Sequence, residues 1–565
     1  MKRHIILLIS LVAFFGLIFP LADYAEDSWL LEIGSPLYQE IEELSINNSA
    51  LPFLEDTPVS AGTVQRNLKS LKNIVSPYKT AQRIVLNLEI PYYPVSPILE
   101  TGFYTGYNSD KDRIHYIQTN DRKFLDYRLL YPVQSIPSAL KAGFLINAAG
   151  WSVFFQPELR KAMPFILNED NYTNIPSQFI DLDENFPYRG YINYRNGPSE
   201  FTMARDKLQL GPGRWSSLSV NKNVPYFDYV KGKLDFTWFA FSSYLIRLNP
   251  ILSSSESLEL ESMQAGENPE VNARVETPFS EKSKHLAVHK LFLSPFPWIS
   301  FSVAELNMIG GRTPQLTDFN PVIIFHNNFE EGCNNQSLSA TLRLVPLPGI
   351  LLYGEYYLYD AVVADEKNPS YKPGASAYQS GFTLLSDNYL NIGPGRFRLD
   401  GEFSLVDPWC YARWYDLKKY TSRFVYVETG AHTRNWADYP LGYYLGPDVV
   451  DINLQLSYGV PGLWETYFYW KRSGLGSINL YGWGDGNLFS HTTEGNLPLT
   501  GSPTSRENMP AQWNDLFKLN FSLVALNNIK VSLWFSYEII KNRFNIKGNN
   551  AYIYDTGCAV TWKIF

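Results

Sequence analysis

Residues 211–225 read GPGRWSSLSVNKNVP, and they put an arginine and a tryptophan directly after a rigid corner. Gly211 and Gly213 open backbone angles closed to other residues, and Pro212 fixes one dihedral. An indole face stacks on the apolar side of a sugar ring, while a guanidinium and flanking amides hydrogen-bond hydroxyls or a carboxylate. Arg214, Trp215, Asn221 and Asn223 are therefore candidate glycan contacts. The alternative is architectural, with the corner a turn between strands, Trp215 in an interfacial aromatic girdle and Arg214 snorkelling or paired to a lumen carboxylate.

A second Gly-Pro-Gly-Arg turn, Gly393, Pro394, Gly395 and Arg396, is either the partner of the first or a favoured corner. The aromatic and guanidinium theme returns in WCYARWY (409–415) and HTRNW (432–436), which adds Trp409, Arg413, Trp414, Arg434 and Trp436 as candidates beside a girdle or loop-packing role.

Catalytic chemistry is poorly supplied. His326, His432 and His491 stand near carboxylates or serines but in no nucleophile-elbow or metalloprotease pattern. Glu330 and Glu331 are adjacent, and adjacent strand residues point to opposite faces, so they do not make a hydrolytic pair. Cys333, Cys410 and Cys558 form no metal or redox motif, and no cofactor or metal site is expected. The carboxylates Glu256, Glu259 and Glu261 read as a solvated loop rather than a calcium site.

The elements that must carry these residues are strands. Lys2 and Arg3 precede an apolar run from Ile5 to Leu21, so residues 1–25 read as a signal peptide, with cleavage after Ala22 or Ala25. No second apolar run is long enough for a spanning helix, and a net charge of −8 without a basic block argues against a nucleic-acid partner. Beyond that the chain alternates. Val450, Ile452, Leu454, Leu456 and Tyr458 share one face, with Asp451, Asn453, Gln455 and Ser457 on the other. Segments 338–344 and 517–523 repeat the pattern, and with 38 Tyr, 35 Phe and 14 Trp this composition suits either a large soluble β protein or an outer-membrane barrel. Val560, Trp562 and Ile564 at period two before Phe565 resemble the closing strand of the latter, the feature that outer-membrane assembly machinery reads.

The expected fold is therefore all-β: a large transmembrane antiparallel barrel over residues 79–565, with room for roughly sixteen to eighteen strands facing outer-membrane lipid. Stretches 252–284 and 484–515 read as long outer loops. Residues 26–78 form a small N-terminal periplasmic element: Ser35-Pro36 starts one short helix, Ser60 caps a second, and an extended LPFLEDTPV joins them.

Several segments, in order, resemble the Wzi-type capsule assembly family of outer-membrane proteins. They are the helix-extended-helix opening, GPGRWSSLSVNKNVP, FNPVIIFHNN (319–328), LPGILLYGEYYLYD (347–360), FRLDGEFSLVDPWCYARWY (397–415) and PLGYYLGPDVVDINLQLSY (440–458). The chain departs from the family pattern at Arg214 and at Asn221-Lys222-Asn223. The resemblance implies a plugged barrel of about eighteen strands that acts as a lectin retaining capsular or other surface polysaccharide. The rival function is a porin for small solutes. Bulky residues on the wet faces, such as Tyr467 and Tyr469, fill a lumen rather than line a wide one.

Overall fold

The computed structural model describes residues 28–51, 55–65, 95–118, 123–185, 187–236, 238–254, 256–258, 261, 281–320, 324–325, 334–359, 375–387, 395–411, 416–428, 433–460, 463–481, 502–505, 509–525 and 528–564. The signal segment, much of both expected outer loops, the three histidines named above, Glu330, Glu331, Glu259, Cys333 and Phe565 lie outside these residues.

Among the described residues, eighteen strands close into one antiparallel barrel. In chain order they are β1 Val95–Asn108, β2 Leu140–Ala148, β3 Trp151–Leu159, β4 Tyr188–Asn196, β5 Ser199–Asp206 and β6 Phe227–Asp235. Next come β7 Phe239–Arg247, β8 Lys284–Phe296, β9 Ile299–Gly310, β10 Asn334–Leu347, β11 Ile350–Leu358 and β12 Ser376–Asp387. The last six are β13 Arg396–Val406, β14 Val449–Val460, β15 Trp464–Leu475, β16 Gln512–Ala525, β17 Ile529–Lys541 and β18 Ala551–Lys563. Each strand pairs with its neighbour, and β18 closes on β1 in a register from Glu100↔Lys563 to Asn108↔Asp555. Closure removes every edge, which is what lets a sheet exist in a bilayer.

The alternation seen in the sequence decides which face meets lipid. Leu338, Leu342, Leu519, Phe521 and Leu523 are exposed on the outside, whereas Ser339, Thr341, Arg343 and Ser522 are buried inside. This is a soluble core turned inside out, with apolar side chains outward and polar side chains gathered in the interior. With its apolar exterior, the closed barrel is a membrane-spanning structure of the bacterial outer-membrane type.

One mouth of the barrel carries short turns, such as Ala149-Gly150 and Gly197-Pro198, both with a glycine at positive φ. The opposite mouth carries the long excursions. Residues 207–226 and the described parts of 407–448 return into the barrel, and the latter supply two strands, Thr421–Glu428 and Thr433–Pro440, of a small internal sheet completed by Lys123–Leu125 and Tyr116–Gln118 from between β1 and β2. Helices α2 (Tyr127–Gln134) and α3 (Met163–Asn168) pack at the same end, beneath a cluster of buried tyrosines.

The N-terminal element closes the short-turn mouth. Helix α1 (Pro36–Asn47) starts where expected, with Ser35 Oγ accepting the Leu37 N–H at 3.3 Å and Pro36 in the first turn. Its last turn and the residues just after it meet two barrel turns: the Gly349 N–H donates to Ile46 O at 3.2 Å, and the Leu51 N–H donates to Pro297 O at 2.8 Å. Residues 61–65 are helical, and residues 66–71 of the expected second helix lie outside the described residues. Ser60 does more than start it. Its hydroxyl donates to Glu200 Oε2 at 2.8 Å and accepts from Arg195 at 2.9 Å, tying the segment to the β4–β5 wall. A helix this short is marginal in water, and here wall contacts hold it.

Candidate functional site

The Gly-Pro-Gly corner sits in the lumen, away from the interfacial girdle. Leaving β5, the chain pairs Gln209 and Leu210 with Thr57 and Asp56, so a loop entering from the long-loop mouth meets the N-terminal segment inside the barrel. The Gly211 N–H donates to Glu55 O at 3.3 Å. Glu55 is itself buried, where its carboxylate takes Lys290 at 2.7 Å, the Ser302 hydroxyl at 2.6 Å and the Thr341 hydroxyl at 2.8 Å. Burial opposes its charge, but Lys290, Arg343 and the Ser302 hydrogen bond together offset this and hold the carboxyl below its ordinary range.

The two glycines of the corner are required by close approach. Gly211 adopts φ +148°, and a Cβ there would run into Ser217 Oγ and come within 2.7 Å of Glu355 Oε2. A Cβ on Gly213 would overlap Ser216 O and Gln379 Oε1. Arg214 is held at both ends. Its N–H donates to Glu402 Oε2 at 2.7 Å, and its guanidinium reaches Asp400 at 3.3 Å and Glu42 of α1 at 3.5 Å. Burial again works against Glu42, while Arg398 and Arg214 pull its carboxyl below the usual value.

Beyond Arg214 the loop is anchored by Glu355, which projects inward from β11. Its carboxylate accepts the Leu218 N–H at 3.0 Å, the Ser219 N–H at 3.1 Å, the Ser217 hydroxyl at 3.0 Å and the Ser339 hydroxyl at 3.0 Å. Tyr411 supports the other side, donating its phenol proton to Leu218 O at 2.8 Å and accepting the Tyr443 N–H at 3.0 Å. A tyrosine at φ +67° is uncommon, and these two bonds hold it there. Neither Glu355 nor Tyr411 was singled out from the sequence. The readable signal for the first was a carboxylate on the wet face of LPGILLYGEYYLYD.

The candidate glycan residues divide by accessibility. Asn221 is fully buried, and its side-chain amide donates to Pro440 O at 2.9 Å and Leu441 O at 3.0 Å, which fastens the inserted loop to the end of the internal sheet. Asn223 is half-buried and donates to Trp215 O at 3.0 Å. Trp215 is also half-buried, its ring 5.9 Å from that of Tyr469. Lys222 lies between these residues and donates to Arg214 O at 2.6 Å; burial and then the Arg214 charge push its ammonium down to about 8.

The second cluster does not come together as the sequence suggested. Trp409 and Trp436 are buried, Arg434 is exposed at the start of Thr433–Pro440, and Arg413 and Trp414 lie outside the described residues. The cation facing Trp436 is Arg423, whose guanidinium lies 5.3 Å from that ring and pairs with Asp438 at 2.6 Å and Glu256 at 2.6 Å. Glu256 is thus a half-buried ion-pair partner, contrary to the expectation of a solvated loop carboxylate. Of the second Gly-Pro-Gly-Arg turn, Gly393 and Pro394 lie outside the described residues; Gly395 is buried against Tyr458, and Arg396 pairs with Glu43 of α1 at 2.7 Å. Arg214 and Arg396, the arginines that follow the two Gly-Pro-Gly runs, thus pair with neighbouring carboxylates of the same helix, Glu42 and Glu43. Among the described residues no cluster of His, Cys, Asp and Glu is suited to a metal.

No protein-family model matches the sequence, and no curated protein sequence does either. Solved structures do match. The Pseudomonas aeruginosa proteins OccK5 (OpdH) and OpdL align over 83% of this chain at 9% identity, covering 98% and 99% of their own chains, with TM-scores of 0.37 and 0.39. Wzi, described as an outer-membrane protein involved in group 1 capsule assembly in Escherichia coli and a carbohydrate-binding β-barrel, aligns over 94% of this chain and 98% of its own. The TM-score is 0.55 at 12% sequence identity, so this chain has the fold of the Wzi barrel.

Proposed function

We propose that this chain is a non-enzymatic, lectin-like outer-membrane barrel that binds capsular or other surface polysaccharide and helps to attach or assemble it at the cell surface. The observation that carries this reading is the doubly filled lumen. The loop 207–226 is bonded to β11, β13 and the N-terminal segment at once, through Glu355, Glu402 and Glu55. A barrel that fixes a loop across its own bore has the rigidity a binding surface needs and lacks the clear passage of a solute pore. Carbohydrate binding by a protein of the same fold supports the reading, as does the run of aromatic and amide groups on the accessible side of the corner.

On this reading Trp215, Asn223 and Arg434 touch glycan, and Arg214, Asn221, Trp409 and Trp436 hold the loops that present them. Arg413 and Trp414 remain proposed contacts. Residues 26–78 are the periplasmic element, the outward face meets outer-membrane lipid, and the closing strand is the segment that the assembly machinery recognises.

The test is a deletion strain. Cells lacking the chain should still make surface glycan but shed it into the medium, and the purified barrel should bind that glycan with no conductance in planar bilayers. Loss of polymer synthesis would point to an enzymatic or export role. Solute-sized conductance steps from the wild-type protein would favour the porin reading instead.

A further inference from the structure

A cavity of about 550 Å³ lies beside the plug, between the N-terminal segment and the upper ends of β2 to β6, and the corner residues discussed above do not line it. Its volume is in the range of pockets that hold small ligands. Strands β2 to β7 are eight or nine residues long where β8, β16 and β17 have 13 or 14, so the barrel wall is low on this side. The cavity therefore forms where loops, rather than wall, cover the lumen.

Its lining is built from ionic and aromatic groups. Arg160 pairs with Asp183 at 2.9 Å, Arg189 with Asp206 at 2.8 Å and Lys141 with Glu32 at 3.6 Å. The Arg205 guanidinium lies between two rings, 4.5 Å from that of Tyr188 and 4.2 Å from that of Tyr226. Tyr226 meets Phe424 edge-on at 5.2 Å, which adds an aromatic surface. Glu158 accepts the Ser138 hydroxyl at 2.5 Å.

Two donors remain unspent after this pairing. Arg189 Nη2 is buried without a hydrogen-bond partner. Among the described residues, the Lys207 ammonium has no ion-pair partner within 4.0 Å. Burying a guanidinium N–H without an acceptor is costly, and the missing acceptor is one that a ligand can bring both to Arg189 and to the half-exposed Lys207 ammonium, which lies among the carboxylates Glu32, Glu158 and Asp206. We propose that this cavity is a subsite for a carboxylate-bearing sugar residue, with Lys207 and Arg189 taking the carboxylate, Tyr226 and Phe424 offering ring faces, and Glu158 accepting a sugar hydroxyl. The assignment rests on the polysaccharide-binding reading and adds to it the class of sugar and a place separate from the corner.

The test is calorimetric titration of the detergent-solubilised barrel with a tetrasaccharide of alternating glucuronic acid and glucose, and with the same tetrasaccharide after reduction of its carboxyls. The acidic form should bind at least about tenfold more tightly, the worth of one charge-assisted hydrogen bond. Lys207→Gln should shrink that preference to what Arg189 alone supplies and Lys207→Arg should keep it, both with unchanged heat-modifiability. Tyr226→Ala should weaken both forms together. Equal affinity for acidic and reduced sugars, or a Lys207→Gln variant indistinguishable from wild type, would overturn the assignment. Should native surface polysaccharide still bind in that case, the proposed function stands and the subsite alone fails; if no polysaccharide binds, both fail.

Discussion

The carboxylate of Glu355 on β11 and the backbone N–H of Leu218 in the inserted loop are joined across the lumen by a hydrogen bond of 3.0 Å. The same carboxylate takes the next N–H, of Ser219, at 3.1 Å. One wall side chain thus accepts two successive backbone N–H groups of a buried loop whose strand pairing is confined to Gln209 and Leu210 and the Leu210–Val220 bridge.

Glu355→Ala should therefore release the loop. It leaves the Leu218 N–H and the Ser339 hydroxyl without their acceptor, at about 1–3 kcal/mol for each group that finds no water, while the Ser217 hydroxyl keeps Leu210 O at 2.8 Å and the Ser219 N–H keeps Ser217 Oγ at 3.3 Å. The expected result is a lower temperature of heat-modifiability on gels and an ion conductance absent from the wild type. Glu355→Gln keeps one carbonyl acceptor and should fall between the two. A silent, fully heat-resistant Ala variant would show that Glu355 does not anchor the plug.

The corner glycines make a sharper comparison. Gly213→Ala places a methyl group against Ser216 O and Gln379, whereas Gly232→Ala on β6 meets nothing within 4 Å. The first should open or loosen the plug and the second should be neutral in both gel and bilayer assays. Equal behaviour of the two would contradict the packing of the corner.

For the accessible face, Trp215→Ala should reduce glycan affinity by a factor of about two to ten, the worth of a lost stacking partner at roughly 0.5–1.5 kcal/mol, with the barrel intact. Arg214→Lys retains charge but loses the planar fork that reaches Asp400 and Glu42. It should lower thermal stability more than it lowers affinity. Affinity lost in Arg214→Lys at unchanged stability would instead make Arg214 a direct contact.

Lys222 supplies a pH signature. Its folded value of about 8 lies below the ordinary 10.5, so the unfolded chain binds this proton more readily. The resulting penalty is complete below pH 8 and fades as the pH rises from about 8 to 10.5. Wild type should gain stability relative to Lys222→Met over that window, read as the difference between their melting temperatures in detergent. A difference that stays flat from pH 7 to pH 10 would place Lys222 in bulk water.

The lipid face can be tested on a single strand of the barrel. Leu519 of β16 points outward between Phe468 and Phe535, and an arginine there should cost about 2–4 kcal/mol at mid-bilayer depth. Leu519→Arg should fold poorly into vesicles, while Ser522→Asn on the lumen side should fold normally. The reverse ranking would invert the assignment of faces.

The sequence by itself determined the strands and their two faces, because a period of two is a local property: Val450 to Tyr458 declare their faces whatever the rest of the chain does. It also determined the helix start at Ser35-Pro36, since a cap is a contact between near neighbours. Arg214 and Trp215 were legible as residue types with recognition chemistry. Whether they meet solvent, lipid or lumen was not, because the loop 207–226 carries no periodicity that says which way it folds.

Only the tertiary structure decided that. Glu355 lies 137 residues from Leu218, and Arg398 lies 356 from the Glu42 it pairs with. The partner of Trp436 is Arg423, although Arg434 is nearer in sequence. Lumen ion pairs form between strands whose registers are set by the closed ring, and an inward position specifies polarity but not which opposite charge it will face.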